Sequence, residues 1–106
     1  MASIRNRAGE YVSPTAAGVS TALGSATVNP DMTLKVDYAP DSTGAYPIST
    51  VSYLLFYRGG AGTAEDAALK HFATWALTDG QELAEDLDFA PLPPAIVAVA
   101  LGAVRL

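Results

Sequence analysis

Four short stretches of this 106-residue chain hold side chains that could do chemistry. The first is "YRGGAGTAED", a glycine-rich loop ahead of a helix, where free backbone N–H groups could cradle an anion. Gly60, Ala61 and Gly62 do not complete a dinucleotide fingerprint, however, and no Gly-Lys-Ser/Thr follows for a phosphate loop. Glu65 and Asp66 would also repel an anion from that helix start, so the stretch reads as a strand-to-helix connection. The second is His71, the only histidine. Glu65, Asp66 and Asp79 are not at i±3 or i±4 from it, and no G-x-S-x-G elbow accompanies it, so neither a metal site nor a triad is indicated. It reads as an exposed helix histidine.

The third stretch carries Glu82, Glu85, Asp86 and Asp88. Calcium loops place oxygen ligands at alternating positions around a required glycine, whereas these acids fall on a helical segment and point in different directions. A solvated face is the simpler reading. The fourth, "APLPP", could be a polyproline ligand, but no flanking Arg or Lys is present and an apolar helix follows at once. A rigid connector that aims the last helix is expected instead. No catalytic, ligand-binding or metal residue emerges, no cofactor is implied, and no enzyme is expected.

Composition narrows the class. Half of the residues are hydrophobic and 16% are charged, which is too apolar for a disordered chain and calls for a buried core. The net charge is −5, and Arg5, Arg7, Lys35, Arg58, Lys70 and Arg105 are scattered. Nucleic acid and anionic membrane surfaces both need clustered cations and are disfavoured as partners. With no cysteine, disulfides and thiolate chemistry are excluded. The N-terminal "MASIRNRAGEYV" has no apolar core of a signal peptide, and the apolar run near Ala95 to Val104 is too short to span a bilayer. Taken literally, the chain is expected to be soluble and to stay in the cytoplasm.

These stretches must be positioned by helices and strands. Ser13 is a suitable N-cap with Pro14 at the first helical position, Ala16, Val19 and Leu23 form an apolar stripe, and Gly24 is a stop. "MTLKVDYA" alternates, with Met32, Leu34, Val36 and Tyr38 on one side, as a half-buried strand does. "ISTVSYLLFY" is rich in β-branched and aromatic residues and apolar on both faces at its end, predicting an interior strand of a covered sheet. Thr63 caps a helix whose buried stripe is Ala68, Leu69, Phe72, Trp75 and Ala76 and which ends at Gly80; "QELAEDL" makes a short helix, and Pro94 opens the last one. The order is helix, strand, strand, helix, helix, helix. Two strands cannot cover so much apolar helix, so the chain reads as part of a larger α/β domain.

Three blocks carry a family resemblance: "NRAGEYVSPT", "AYPISTVSYLLFY" and "ALKHFATWALTDGQELAEDLDFAPLPPAIV". In this order and spacing they resemble the C-terminal third of the phosphate-binding proteins that serve ABC-type phosphate importers. The last block, an aromatic helix running into Thr-Asp-Gly and then Ala-Pro-Leu-Pro, is the most specific. The resemblance implies an α/β, type II periplasmic-binding-protein fold in part, with few strands and about four helices. It implies that residues 1–45 derive from the second lobe and hinge, and that 46–106 complete the first lobe. It also implies a role in inorganic phosphate uptake, membrane subunits of an ABC importer as partners, and a periplasmic or cell-surface location. The family holds phosphate with hydroxyls, backbone N–H groups, an Asp and an Arg from earlier segments, and no position here is matched to any of them. Phosphate binding is thus expected only within a complete receptor. A structural module that pairs with a separate N-terminal half, or with itself, is the alternative.

Overall fold

Two short antiparallel hairpins build the N-terminal part, and three α-helices build most of the rest. The computed structural model describes residues 1–57 and 62–105. In chain order these hold β1 (Ile4–Arg5), β2 (Tyr11–Val12), α1 (Ala16–Leu23), β3 (Thr27–Val28), β4 (Leu34–Lys35), α2 (Ala64–Leu77), two 3-10 turns (Asp79–Leu83 and Glu85–Leu87) and α3 (Pro94–Val104). The expected mixed α/β class is borne out.

Each hairpin follows from turn chemistry. Between β1 and β2, the Glu10 amide donates to Asn6 Oδ1 at 3.0 Å, the Asn6 amide donates to the Glu10 carbonyl at 2.8 Å, and Gly9 takes φ +87°, which a residue without Cβ adopts freely. Register pairs Ile4 with Val12. Between β3 and β4, Asn29-Pro30-Asp31 reverses the chain, and Asp31 Oδ1 accepts from the Thr33 amide at 3.0 Å. Register there pairs Val28 with Leu34. Met32, expected to begin the strand, sits in this turn at φ 68°, so pairing starts only at Leu34. The predicted alternation persists in burial as far as Val36, but Tyr38 is exposed.

The first helix starts later than expected. Thr15, extended at φ −108° and ψ 155°, is the N-cap, and its Oγ1 accepts from the Gly18 amide at 3.1 Å. Ser13 instead hydrogen-bonds Ser3 across the first hairpin at 3.1 Å, leaving Pro14 before the cap rather than inside the helix. Gly18 faces the chain at 44–46. A Cβ there would lie 3.2 Å from the Gly44 carbonyl oxygen, and the Tyr46 amide donates to the Gly18 carbonyl at 3.0 Å. Ala22, Leu23, Ala45 and Tyr46 are buried around this contact, and the buried Asn6 donates to the Ala45 carbonyl at 3.3 Å.

The C-terminal helices hold less core. Thr63 caps α2 as expected, accepting from the Asp66 amide at 3.1 Å, with Glu65 and Asp66 in the first turn. Yet only Ala73 of α2 is buried, while Ala68 is exposed and Leu69, Phe72 and Trp75 remain 43–50% exposed. The expected buried stripe is therefore open. Its reason is simple: α3 covers one side of α2 with Ile96, the first 3-10 turn lies against its C-terminal end beside Trp75, and Leu69, Phe72 and Trp75 are otherwise left open. Helix α2 ends at Leu77 rather than at Gly80, which lies inside the first 3-10 turn. The radius of gyration, 15.6 Å, exceeds the about 13 Å of a close-packed chain of this length. The extents, 51 × 30 × 18 Å, describe a long, thin body.

Candidate functional site: an open apolar groove

The segment 50–57 departs most from expectation. It belongs to the stretch Ile48–Tyr57, predicted as an interior strand, and runs without strand pairing to any described residue. Leu54 and Leu55 are 64% and 92% exposed, and Tyr53, Phe56 and Tyr57 are also exposed. No backbone group of 50–57 bonds to another described residue. The physical cause is a lack of neighbours: among the described residues the only strands are the two-residue pieces of the hairpins, and each is already paired within its own hairpin.

Between this segment and the helices lies a groove of about 770 Å³. Val51, Tyr53 and Leu55 line one wall, and Leu69, Ala73 and Leu77 of α2 with Ile96 and Ala100 of α3 line the other. Val28, Met32 and Leu34 of the second hairpin close one end. Its polar members are few. Lys70 is paired with Asp66 at 3.2 Å, so its charge is already matched. Asp31 is held below the ordinary aspartate value of 3.8 because its carboxylate accepts from the Thr33 hydroxyl at 2.6 Å and from the Thr33 amide. A groove of this character suits apolar side chains and extended backbone, and does not suit a small anion.

The residues weighed for chemistry are not brought together. His71 is exposed on α2 outside the groove lining. Glu82, Glu85, Asp86 and Asp88 are exposed along the 3-10 turns, in keeping with a solvated face. No group of three metal-ligating side chains occurs among the described residues. Residues 58–61 of the glycine loop lie outside the described residues; Gly62 at its end has φ 89°.

"APLPP" is a fixed connector. Ser20 Oγ of α1 donates to the Pro91 carbonyl at 2.9 Å, and the Leu92 amide donates to Gln81 Oε1 at 2.8 Å. Gln81 Nε2 in turn donates to the Ala76 carbonyl near the end of α2, at 2.6 Å. Pro94 then occupies the first position of α3, where its missing donor costs nothing. Sequence reasoning missed Gln81 because a glutamine in an acidic helical stretch looks like any solvated polar residue. It also missed both hairpins, although Asn6 to Gly9 and Asn29-Pro30-Asp31 were available as turn signals.

Comparison with known proteins fits this incomplete surface. No protein-family model matches the chain. The phosphate-binding protein PstS of Xylella fastidiosa (strain Temecula1 / ATCC 700964) is 30% identical over 96 residues, which is 89% of this chain and 26% of that protein. The phosphate-binding protein PstS of Pasteurella multocida (strain Pm70) is 26% identical over 97 residues, 91% of this chain and 28% of its own length. The likeness implies a periplasmic-binding-protein fold, of which this chain spans about a quarter of the length of the curated relatives it matches. Along about nine-tenths of its length, then, the chain is similar to the phosphate-binding proteins PstS, as its three sequence blocks led us to expect.

Proposed function

We propose that this chain is the C-terminal portion of a phosphate-binding receptor that delivers inorganic phosphate to an ABC-type importer. The observation that carries the reading is the match of 89% of the chain to 26% of a protein named for phosphate binding. The order of the three blocks supports the C-terminal placement. In this reading the phosphate ligands belong to receptor segments outside this chain. The described site is in keeping with that: its one cation, Lys70, is neutralised by Asp66, and elsewhere Arg7 is committed to Asp41 at 3.1 Å.

The chain thus contributes scaffold to a binding protein and makes or breaks no bond. Residues 1–45 belong to the second lobe and hinge, and 46–106 complete the first lobe. The whole receptor works in the periplasm or at the cell surface and docks on the importer's membrane subunits. No described helix is itself long and apolar enough to cross a membrane. Calorimetric titration of the isolated chain with inorganic phosphate tests the reading. We expect no heat of binding below millimolar phosphate; submicromolar binding by the chain alone would sink it.

A further inference from the structure

We infer that residues 50–57 are a homotypic pairing surface, through which two copies of this chain join as antiparallel strands about a two-fold axis. The pairing does not depend on the receptor reading, which the phosphate titration tests.

The segment has what a strand needs and lacks only a partner. No backbone group of 50–57 is bonded to another described residue, so its amides and carbonyls are free to form a ladder. No proline or glycine occurs from Ile48 to Tyr57, and no charge occurs between Asp41 and Arg58. Charges, prolines and bulges are what keep an exposed edge from pairing with another chain. Exposed segments of high β-propensity that lack them associate with their own kind.

The occupant follows from charge and area. It must be uncharged along the segment, because the cation lining the groove, Lys70, is already matched by Asp66 at 3.2 Å. It must also be apolar on both faces and bring backbone groups for a ladder. The segment itself meets all three conditions, and two copies of it set no like charges opposite one another. Tyr53, Leu54, Leu55, Phe56 and Tyr57 are 51%, 64%, 92%, 42% and 102% exposed, which at about 200 Å² for a full side chain offers roughly 700 Å² per copy. That approaches the about 800 Å² per partner of a stable interface. The net charge of −5 opposes association, yet salt at about 0.15 M screens charges more than about 8 Å apart.

Geometry limits the assembly to two. Paired strands lie about 4.8 Å apart, so in an antiparallel stack every second copy would project on the same side, about 10 Å from the next. The shortest extent of the chain is 18 Å, and a third folded copy does not fit. A pair places its two bodies on opposite sides and meets no such clash.

Sedimentation equilibrium of the full chain tests the inference. We expect a monomer–dimer equilibrium with Kd of about 1–100 μM. Hydrogen exchange at amides 51–57 should slow at least about tenfold as concentration rises through that range. A chain that stays monomeric throughout overturns the inference, as does one whose assemblies are all larger than a dimer. Leu55→Lys puts a charge on a side chain that touches little within one copy, and should weaken the dimer at least about tenfold with the circular dichroism unchanged. Leu87→Lys alters a leucine 66% exposed on the second 3-10 turn and should leave the dimer intact. Equal weakening by both overturns the placement at 50–57. Because the chain has no cysteine, Val51→Cys, Ser52→Cys, Tyr53→Cys, Leu54→Cys and Leu55→Cys can each be oxidised cleanly. Only residues at the dyad of an antiparallel pair face their own copies, so disulfide yield should peak at one position or two adjacent ones. A flat profile overturns the two-fold arrangement, and this profile decides alone if Leu55→Lys fails to fold.

Discussion

The Leu34 amide donates to the Tyr53 phenol oxygen at 2.8 Å, joining the second hairpin to the otherwise unpaired segment across nineteen positions of sequence. Among the described residues this is the one hydrogen bond that ties segment 50–57 to the rest of the chain. Tyr53→Phe keeps the ring and removes only the acceptor. Because the bond is exposed, we expect a loss of about 0.5–1 kcal/mol in denaturant unfolding. Exchange at the Leu34 amide should accelerate by a similar factor. A Leu34 amide as well protected in the variant as in the parent would show that the tether does not form in solution.

Gln81 carries a larger share. Its amide group bridges the end of α2, at the Ala76 carbonyl, to the connector, at the Leu92 amide, and the side chain is partly buried. Gln81→Ala leaves both partners to find water in a confined place. A destabilisation of about 1–3 kcal/mol is expected. Gln81→Glu retains the acceptor for Leu92 but cannot donate to Ala76, and should fall between the two. Equilibrium unfolding of the three proteins checks the order.

These two residues mark how far the sequence could be read. The capping of α2 by Thr63 and the opening of α3 by Pro94 were legible because both are local chemistry, decided within one helical turn. The apolar character of 50–57 was legible too, but its pairing was not, since a strand's state depends on neighbours that local sequence does not contain. The same holds for the open face of α2. Leu69, Phe72 and Trp75 have the spacing of a buried stripe, and they stay exposed because the surface to cover them is not among the described residues. Gln81 and Tyr53 were not legible, because they act through partners distant in sequence.

Gly18 shows an opposition of two effects. Alanine in a helix interior is favoured over glycine by about 1 kcal/mol. Here, however, the new methyl would meet the Gly44 carbonyl oxygen and Thr15 Oγ1 at 3.2 Å and the Tyr46 Cβ at 3.4 Å. The Tyr46 amide holds that backbone against α1, and Gly44 at φ +76° has little freedom to retreat. Overpacking costs about 1–3 kcal/mol, so we expect Gly18→Ala to be net destabilising by about 1 kcal/mol. Thermal unfolding decides the sign; a stabilised variant would mean that the 44–46 turn yields.

Asp31 titrates below the ordinary aspartate value because the Thr33 hydroxyl and amide bond its ionised form. A depressed carboxyl contributes stability that is present above the unfolded value and is lost as pH falls through the folded one. The β3–β4 turn should therefore loosen only on acidification below the ordinary value of 3.8. Thr33→Val removes the hydroxyl and should move the Asp31 titration upward, toward that value. Carboxyl-carbon NMR across an acid titration reads the shift, and an Asp31 curve unmoved by the substitution would assign the depression to another cause.

Gly80 was expected to stop α2, yet its role is to make room. A Cβ at this position would lie 3.1 Å from the Trp75 carbonyl oxygen and 3.3 and 3.4 Å from two carbons of the Trp75 ring. That ring, with Phe72 centred 6.1 Å away, forms the outward apolar face of α2. Gly80→Ala must push either the ring or the 3-10 backbone, at a cost of about 1–3 kcal/mol. Trp75 is the sole tryptophan, so its emission reports the displacement directly. We expect a changed emission maximum and greater access to acrylamide in Gly80→Ala, together with lower stability. Gly102→Ala, where an added Cβ meets nothing within 4 Å, should leave the emission unchanged and raise stability slightly through helix propensity. If both variants behave alike, the glycine at 80 serves backbone conformation and not the Trp75 contact.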